Sequence, residues 1–174
     1  MKLNLGSGEQ LLEGYVNFDC VKVEKHGKRT DVIGKIQELK LIWKDACFDS
    51  IIAFHSLEHL TRPEVVQAIK DCFHILKPGG TLVVEGPDVL GAYEYYVNQK
   101  KNVAGYIYCI FGEDFSSRNK YGDSWSHKSG WTGDLMSQAM KQCGFSIKAI
   151  GPGLSHGMGT RDFRVEGLKP AHNA

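Results

Sequence analysis

The sequence lacks any long apolar run. No stretch approaches the roughly 18 consecutive apolar residues that a membrane-spanning helix needs. The opening residues, MKLNLGSG, contain no apolar core of a secretory signal. We therefore expect a protein that neither crosses a membrane nor is secreted.

An excess of charge of either sign is also absent. The chain has 21 lysines and arginines against 20 aspartates and glutamates, which gives a net charge of +1. Proteins that bind nucleic acids or anionic membrane surfaces without other help carry a clear positive excess, and no stripe of basic and aromatic residues replaces it here. We therefore predict neither a nucleic acid nor a membrane as partner.

Closely paired cysteines are absent as well. The five cysteines are widely spaced, are odd in number and form no Cys-x-x-Cys pair; they are Cys20, Cys47, Cys72, Cys109 and Cys143. This pattern indicates reduced, mostly buried thiols, and hence a cytoplasmic protein.

The residues that are present suffice for one globular domain spanning residues 1–174. Of the 174 residues, 42% are apolar and 24% are charged. Such a composition and length are typical of a single domain with its own hydrophobic core.

The opening stretch is the first pattern with a functional meaning. Apolar and polar residues alternate over residues 2–5 and run into Gly6 and Gly8, as in a short strand ending in a turn whose backbone can approach a ligand. A second short strand ends in Asp19, eleven residues past Gly8, and its carboxylate can accept hydrogen bonds from both hydroxyls of a ribose. The two glycines alone would fit a simple tight turn, but together with the acid they indicate an adenosine-type ligand.

Further along the chain, buried strands alternate with amphipathic helices. Residues 51–54 and 81–85 are the mainly apolar cores of two strands, as in strands covered on both faces. A helix between them begins at a capping box, Thr61 to Glu64. A further helix over 132–142 precedes strands at 145–150 and 161–168. The alternation predicts a doubly wound, Rossmann-like α/β sheet.

Residues 89–131 differ from the rest because they hold 10 of the chain's 18 aromatic residues. We predict a helix over about 90–109. A loop follows that contains Ser116, Ser117, Asn119, Gly122 and Asp123. The rings either cover the sheet or form a cap with an acceptor pocket, since aromatic faces bind sugars and planar groups well.

Four sequence blocks, in this order, carry a family likeness: LNLGSG, GYVNFD, FDSIIAFHSLEHL and ILKPGGTLVVEGPD. Together they resemble the class I S-adenosylmethionine-dependent methyltransferases, and most closely a small, poorly characterised branch often found with sugar-modifying genes. The likeness runs from Lys2 to about Asp88 and is weaker from His127 onward. It implies a mostly parallel sheet closed by an antiparallel pair of C-terminal strands, with S-adenosylmethionine as cofactor and S-adenosylhomocysteine as product.

The resemblance also implies a cofactor site. Its nine residues would be Leu5, Gly6, Ser7, Gly8, Asp19, Cys20, Ile36, His55 and Ser56. The glycine turn would line the methionine end, Asp19 would bind the ribose, Cys20 and Ile36 would lie at the adenine, and residues 55–56 would lie near the sulfonium. Related enzymes often carry an acid where this sequence has Lys35, so the adenine end departs from the family pattern.

Methyl transfer needs few catalytic side chains, because the cofactor is already activated and the protein mainly supplies alignment. A general base helps only when the acceptor is a hydroxyl or a protonated amine. Similar enzymes often carry a histidine just before the last helix, where this chain has His127. We predict His127 as a general base or substrate contact. His156, Arg161 and Asp162 could close over the same opening, and Asp88 either lies near the cleft or caps a helix.

One motif admits a different chemistry. Residues 55–59, His-Ser-Leu-Glu-His, match the His-x-x-Glu-His pattern of one class of zinc peptidase. Two histidines four residues apart bind zinc when they share a helix face, but here the next helix starts only at Thr61, which leaves the pair on a turn. We therefore predict no metal ligands. The resemblance to the methyltransferases implies instead that Glu58 and His59 have a structural role and hold this turn together.

We prefer one function over two alternatives. The preferred function is methyl transfer from S-adenosylmethionine to an oxygen of a glycan or another small molecule. A relative that binds the cofactor or its demethylated product without turnover is the alternative that Lys35 favours. A dinucleotide oxidoreductase fits less well, since Gln10 and Leu11 follow the turn where that fingerprint requires a third glycine.

Overall fold

The centre of the structure is a seven-stranded sheet. A computed structural model describes residues 1–112 and 125–171 of the chain. The strands are β1 (Lys2–Leu5), β2 (Val16–Asp19), β3 (Glu24–Lys25), β4 (Lys28–Arg29), β5 (Val32–Ile33), β6 (Phe48–Phe54), β7 (Leu76–Pro87), β8 (Ser146–Pro152) and β9 (Asp162–Leu168). The large sheet has the order β5-β2-β1-β6-β7-β9-β8, and β3 and β4 form a separate hairpin.

The direction of the strands confirms the predicted fold class. Strand β1 pairs in parallel with β2 and β6, β2 with β5, and β6 with β7. Strand β9 runs antiparallel to both β7 and β8. The carboxyl ends of β1, β2, β5, β6 and β7 therefore lie along one edge, which is where a doubly wound sheet binds its ligands.

Helices flank this sheet. They are α1 (Leu39–Ile42), α2 (Arg62–Ile75), α3 (Val89–Ala92), α4 (Val103–Phe111) and α5 (Gly133–Gln142), with a π-helix at Tyr93–Gln99 and 3-10 turns at Ile36–Glu38, Leu57–His59 and Gly159–Arg161. The inner faces of α2 and α5 pack with the central strands into one hydrophobic core.

Both long helices begin as the sequence predicts. The Glu64 carboxylate accepts hydrogen bonds from the backbone N–H and the hydroxyl of Thr61, at 2.8 and 2.7 Å. The Thr132 hydroxyl accepts from the backbone N–H of Leu135 at 3.2 Å, which starts α5. These caps satisfy N–H groups that the first turn of a helix leaves unpaired.

The prediction of one helix over about 90–109 is wrong. An Asp88 carboxylate oxygen accepts from the N–H groups of Leu90 and Gly91 and starts the short helix α3. The chain then passes through the π-helix and breaks at Lys101, whose φ is +52°. Asn102 restarts it by accepting from the N–H of Gly105 at 2.8 Å. A side-chain cap in mid-segment, rather than a proline, divides the predicted helix.

Buried amides, rather than a helix, hold the segment between β1 and β2. Asn4 donates to the Gln10 carbonyl at 2.7 Å and to Asn17 Oδ1 at 3.0 Å. The same Asn17 oxygen accepts from the N–H of Leu12 at 2.8 Å. These contacts replace the backbone hydrogen bonds that a helix would have supplied, so the segment remains short and fixed.

One expectation about side-chain exposure needs correction. All five cysteines are free, but Cys72 alone is fully buried and Cys20 is exposed, so the expectation of mostly buried thiols is wrong. Within residues 1–112 and 125–171, no helix combines the length and apolar character that crossing a membrane requires.

The aromatic stretch has two kinds of rings. Trp131 is buried in the core, whereas Tyr93, Tyr108 and Phe111 are 47%, 50% and 52% exposed. The rings on the π-helix and α4 therefore do more than cover the sheet. Phe115 and Tyr121, together with the predicted loop residues Ser116, Ser117, Asn119, Gly122 and Asp123, lie outside the described residues.

Candidate functional site

The glycine turn after β1 touches the end of β6. Gly6 has a φ of +68°, and a Cβ atom built on it would lie 2.3 Å from the Cβ of Ser56. The N–H groups of Gly6 and Ser7 both donate to the carbonyl oxygen of Phe18, at 2.9 and 3.0 Å. Glycine is therefore required at position 6 for two reasons, its backbone conformation and the space available.

Asp19 closes the same turn from the end of β2. One of its carboxylate oxygens accepts from the N–H of Gly8 at 2.8 Å, and the other accepts from the N–H of Val21 at 3.0 Å. Each oxygen keeps further acceptor capacity, so the carboxylate can still accept from ribose hydroxyls. The structure brings Asp19 to the glycine turn and also gives it a structural task.

Two buried serine hydroxyls at this edge have no hydrogen-bond partner within the described part of the chain. They are Ser7 Oγ and Ser56 Oγ, on residues that are 3% and 6% exposed. Buried polar groups are normally hydrogen-bonded, so a polar ligand at this edge would satisfy both. These residues fit a ligand of the S-adenosylmethionine type. Leu5 is wholly buried in the core, which leaves only its backbone for such a ligand.

The predicted adenine end is assembled in part. The N–H of Gly34 donates to the carbonyl of Asp19 at 3.0 Å, so the segment after β5 starts beside the acid. Partial burial, and then the charge of Asp19, raise the pKa of the Cys20 thiol, while nearby Lys35 acts in the opposite direction. Ile36 packs partly against the hydrophobic core, so some of its surface is already covered.

His55 connects the end of β6 to the loop before β9. Its ring stacks on that of His156, with centroids 3.8 Å apart. Its Nδ1 lies 3.4 Å from Glu58 Oε1, and its Nε2 lies 3.7 Å from Asp162 Oδ2. Burial disfavours the charged ring, but these two carboxylates outweigh it and raise the pKa of His55 above its ordinary value.

The residues predicted to close over the opening do come together. Arg161 donates to both carboxylate oxygens of Asp162, at 2.9 and 2.6 Å, and its guanidinium also lies 2.8 Å from His156 Nδ1. Burial favours the neutral acid, but His156 and Arg161 hold the pKa of Asp162 below its ordinary value. This group therefore contains a firmly charged ion pair.

Glu58 lies under the turn that follows His55. The residue is 4% exposed, and its backbone carbonyl accepts from the N–H groups of Lys128 and Ser129 at 2.8 and 3.3 Å. Burial favours the neutral acid, yet the imidazoles around it, His55 first, hold the pKa of Glu58 at about 2. A buried carboxylate thus stays ionised where residues 127–129 meet the turn.

The predicted catalytic residue His127 lies beside Glu58 and His59. Its Nδ1 is 3.2 Å from the carbonyl oxygen of Ile110, and its ring centroid is 4.9 Å from that of His59. Because a carbonyl can only accept, Nδ1 carries the hydrogen and the lone pair of the neutral ring is on Nε2. Burial lowers the pKa of His127, which favours this neutral form.

Sequence reasoning missed that these side chains form a cluster. One ligand-type atom of each of Glu58, His59 and His127 lies within 4.8 Å of the others. Both halves are visible in the sequence, as the motif at 55–59 and the histidine before the last helix, but their pairing depends on the tertiary fold.

Asp88 acts as a cap: besides starting α3, it accepts from the N–H of Gly133 at 2.9 Å.

Comparison with known proteins agrees with this geometry. Residues 16–84 match the family described as a methyltransferase domain. The chain is 26% identical over 99 residues to a ubiquinone biosynthesis O-methyltransferase of Coxiella burnetii, a match that covers 56% of this chain and 36% of that protein. The chain thus spans little more than a third of the length of the curated relatives that it matches.

Two solved structures share the fold. An S-adenosylmethionine-dependent methyltransferase from Archaeoglobus fulgidus superposes with a TM-score of 0.62 at 14% identity, covering 97% of this chain and 85% of that one. Another from Mesorhizobium loti gives 0.60 at 15% identity, covering 96% and 90%. Residues 16–84 thus match a methyltransferase domain, and the chain shares the fold of these two S-adenosylmethionine-dependent methyltransferases.

Proposed function

We propose that the protein transfers a methyl group from S-adenosylmethionine to an oxygen atom of a small molecule or glycan and releases S-adenosylhomocysteine. One observation carries this function. At the carboxyl edge of the sheet, the glycine turn, the Asp19 carboxylate and two buried, unpartnered serine hydroxyls lie together. This set offers backbone N–H groups, an acid and hydroxyls to a charged, ribose-containing ligand.

The chain's own residues have binding and alignment to perform. S-adenosylmethionine supplies a methyl group that is already activated as a sulfonium. Gly6 and Gly8 allow the backbone to approach the ligand, Asp19 accepts from the ribose, and Ser7 and Ser56 gain partners for their hydroxyls. Holding the two reactants in one orientation away from water then provides most of the rate enhancement.

Oxygen is the acceptor atom that three features support. The matched Coxiella protein is named an O-methyltransferase, although this chain covers only 36% of it. Exposed rings on the π-helix and α4 offer faces for sugars or planar groups. His127 contributes through the lone pair of its Nε2, which can take the proton of a hydroxyl acceptor, as it can that of a protonated amine.

The first test is calorimetric titration with S-adenosylmethionine and S-adenosylhomocysteine, with a nicotinamide dinucleotide as control ligand. Asp19→Ala should weaken binding by about 1–3 kcal/mol, because the ribose hydroxyls lose their acceptor. Asp49→Ala is the matched control. That acid is exposed at the opposite end of β6 and pairs with Lys77 and the N-terminus, so its loss should leave affinity unchanged. Equal affinities of the two variants would contradict the placement of the ribose.

Turnover is tested separately with isotope-labelled cofactor and a panel of phenols, sugars, amines and thiols. Transfer to hydroxyl compounds supports the proposed acceptor class, and transfer to amines or thiols alone contradicts it. A binding-only role is the second candidate, since Lys35 replaces the usual acid and acts on Cys20 at the adenine end. Tight binding of S-adenosylhomocysteine without transfer to any member of the panel would favour it.

A further inference from the structure

We propose that Glu58, His59 and His127 bind one divalent transition-metal ion, of the zinc type, next to the cofactor site. One ligand-type atom of each residue lies within 4.8 Å of the other two. Two imidazoles and one carboxylate are a donor set that suits zinc and its neighbours in the first transition row. The sequence motif at 55–59 supplies two of the three ligands, and the fold replaces its first histidine by His127.

The hydrogen bonds of the two histidines favour metal binding. Nδ1 of His127 faces the carbonyl oxygen of Ile110 at 3.2 Å, and Nδ1 of His59 faces that of Ser126 at 3.4 Å. In each ring, therefore, Nδ1 carries the hydrogen and Nε2 keeps its lone pair. Metal-binding histidines usually donate their other N–H to a carbonyl or carboxylate, which fixes the ring and its tautomer.

Glu58 provides the independent sign of a ligand. The residue is 4% exposed, and its Oε1 has no hydrogen-bond partner among the described residues, although His55 Nδ1 lies 3.4 Å away. A buried carboxylate without adequate partners is costly. A cation bound at Oε1 would supply the partner that this carboxylate oxygen lacks.

The surrounding backbone fixes the three ligands in advance. The N–H groups of Lys128 and Ser129 donate to the Glu58 carbonyl. Ser129 Oγ donates to the Leu60 carbonyl at 2.8 Å, and Arg62 donates to that of Gly130 at 2.9 Å. The segment that carries His127 is thus hydrogen-bonded to the turn that carries the other two ligands, so little rearrangement is needed on metal binding.

A second cluster of metal-type ligands is unsuited to a cation. His55, His156 and Asp162 also lie within 4.8 Å of one another. Arg161, however, contacts both oxygens of Asp162 and lies 2.8 Å from His156 Nδ1. The guanidinium of Arg161 already neutralises the Asp162 carboxylate and would repel a metal ion.

The metal site deepens the proposed function and, in its chemical role, rests on it. Three protein ligands leave coordination positions on a bound ion open. An acceptor hydroxyl at such a position would have a lowered pKa and would lose its proton to water; its oxygen then bonds to the methyl carbon as the S–CH3 bond breaks. His127 then acts as a ligand rather than as a general base. The substrate class becomes a hydroxyl compound, such as a phenol or diol, whose oxygen can reach the ion.

The test uses the untagged chain of 174 residues, stripped with a chelator and titrated with Zn²⁺ by calorimetry and with Co²⁺ by visible absorption. We expect one ion per chain. His59→Gln and His127→Gln should each weaken Zn²⁺ binding by about 100-fold or more, since even residues behind the ligands are worth roughly 10–100-fold. His156→Gln tests the other cluster and exposed His74→Gln is the general control; both should bind like the wild type.

S-adenosylhomocysteine titration of the same samples reports on folding and on the cofactor site. Absence of stoichiometric Zn²⁺ binding by the wild type would overturn the metal site, as would wild-type affinity in His59→Gln and His127→Gln or a loss confined to His156→Gln. Metal binding without cofactor binding would refute the proposed function and leave the metal site standing. Cofactor binding without metal binding would do the reverse.

Discussion

Replacement of Gly6 by alanine is the sharpest test of the contact between β1 and β6. Gly6 has a φ of +68°, and an added Cβ would lie 2.3 Å from the Cβ of Ser56 and 3.1 Å from its Oγ. Two costs therefore combine. Alanine in the left-handed region costs about 1–2 kcal/mol, and overpacking a tight contact costs about 1–3 kcal/mol.

Gly8 supplies a matched control two residues away. Its φ is +47°, in the same left-handed region, but an added Cβ would meet nothing within 4 Å. Gly8→Ala should therefore lower the free energy of unfolding by the backbone cost alone, about 1–2 kcal/mol. Gly6→Ala should lower it by about 2–5 kcal/mol. The difference between the two variants isolates the contact with Ser56.

The assay is urea denaturation followed by tryptophan fluorescence, with the free energy of unfolding extrapolated to water. Adding Ser56→Gly to Gly6→Ala removes the opposing Cβ, so a double-mutant cycle should show a favourable interaction energy of about 1–3 kcal/mol. If Gly6→Ala is no less stable than Gly8→Ala, or if Ser56→Gly restores nothing, the close approach of these strand ends is refuted.

Three further outcomes are expected. Asn17→Ala should lower the free energy of unfolding by about 2–4 kcal/mol, because buried backbone groups lose their partners; a loss within error in the same urea assay would contradict the amide network. Burial favours neutral Glu85, but Ser155 and Arg164 hold its pKa below its ordinary value of 4.5. The ionised Glu85 therefore adds to the free energy of unfolding above pH 4.5, and this contribution is lost as the pH falls below that value. In acid titrations of stability, Glu85→Gln should show a smaller decline than the wild type; an equal decline would mean that other acids cause it. Exposed Cys20 should react with a thiol reagent, more slowly at neutral pH than an ordinary thiol because its pKa is raised. S-adenosylhomocysteine should slow the reaction further; no protection would place the adenine elsewhere.

The sequence predicted short-range features of the structure well. The alternation before Gly6, the apolar run of β6 and the capping box at Thr61 each express a local rule of strand, burial or helix start. Each reappears in the structure with the expected bounds to within a few residues. The strand order then follows, because parallel strands joined by right-handed crossovers leave few arrangements.

Polar side chains that bind backbone groups or one another explain the failures. The helix predicted over about 90–109 is divided because Asp88 and Asn102 bind N–H groups of the following residues. Asn4 and Asn17 hold the segment after β1 through a buried pair of amides. Aspartate and asparagine are compatible with both a helix surface and a cap, so composition and periodicity alone do not distinguish the two.

The cluster at Glu58 shows why the site was harder to predict than the fold. The motif at 55–59 was judged by whether its two histidines share a helix, and a turn argued against zinc. The structure keeps the turn, with a 3-10 segment at Leu57–His59, and separates the two histidines of the motif. His55 turns towards Asp162, and His127 takes its place beside His59 because the N–H groups of Lys128 and Ser129 bind the Glu58 carbonyl. A backbone hydrogen bond across roughly 70 residues thus sets the composition of the site, and such pairing has no signature in local spacing. For this chain, the useful question about a ligand motif is which distant loop the fold docks onto it.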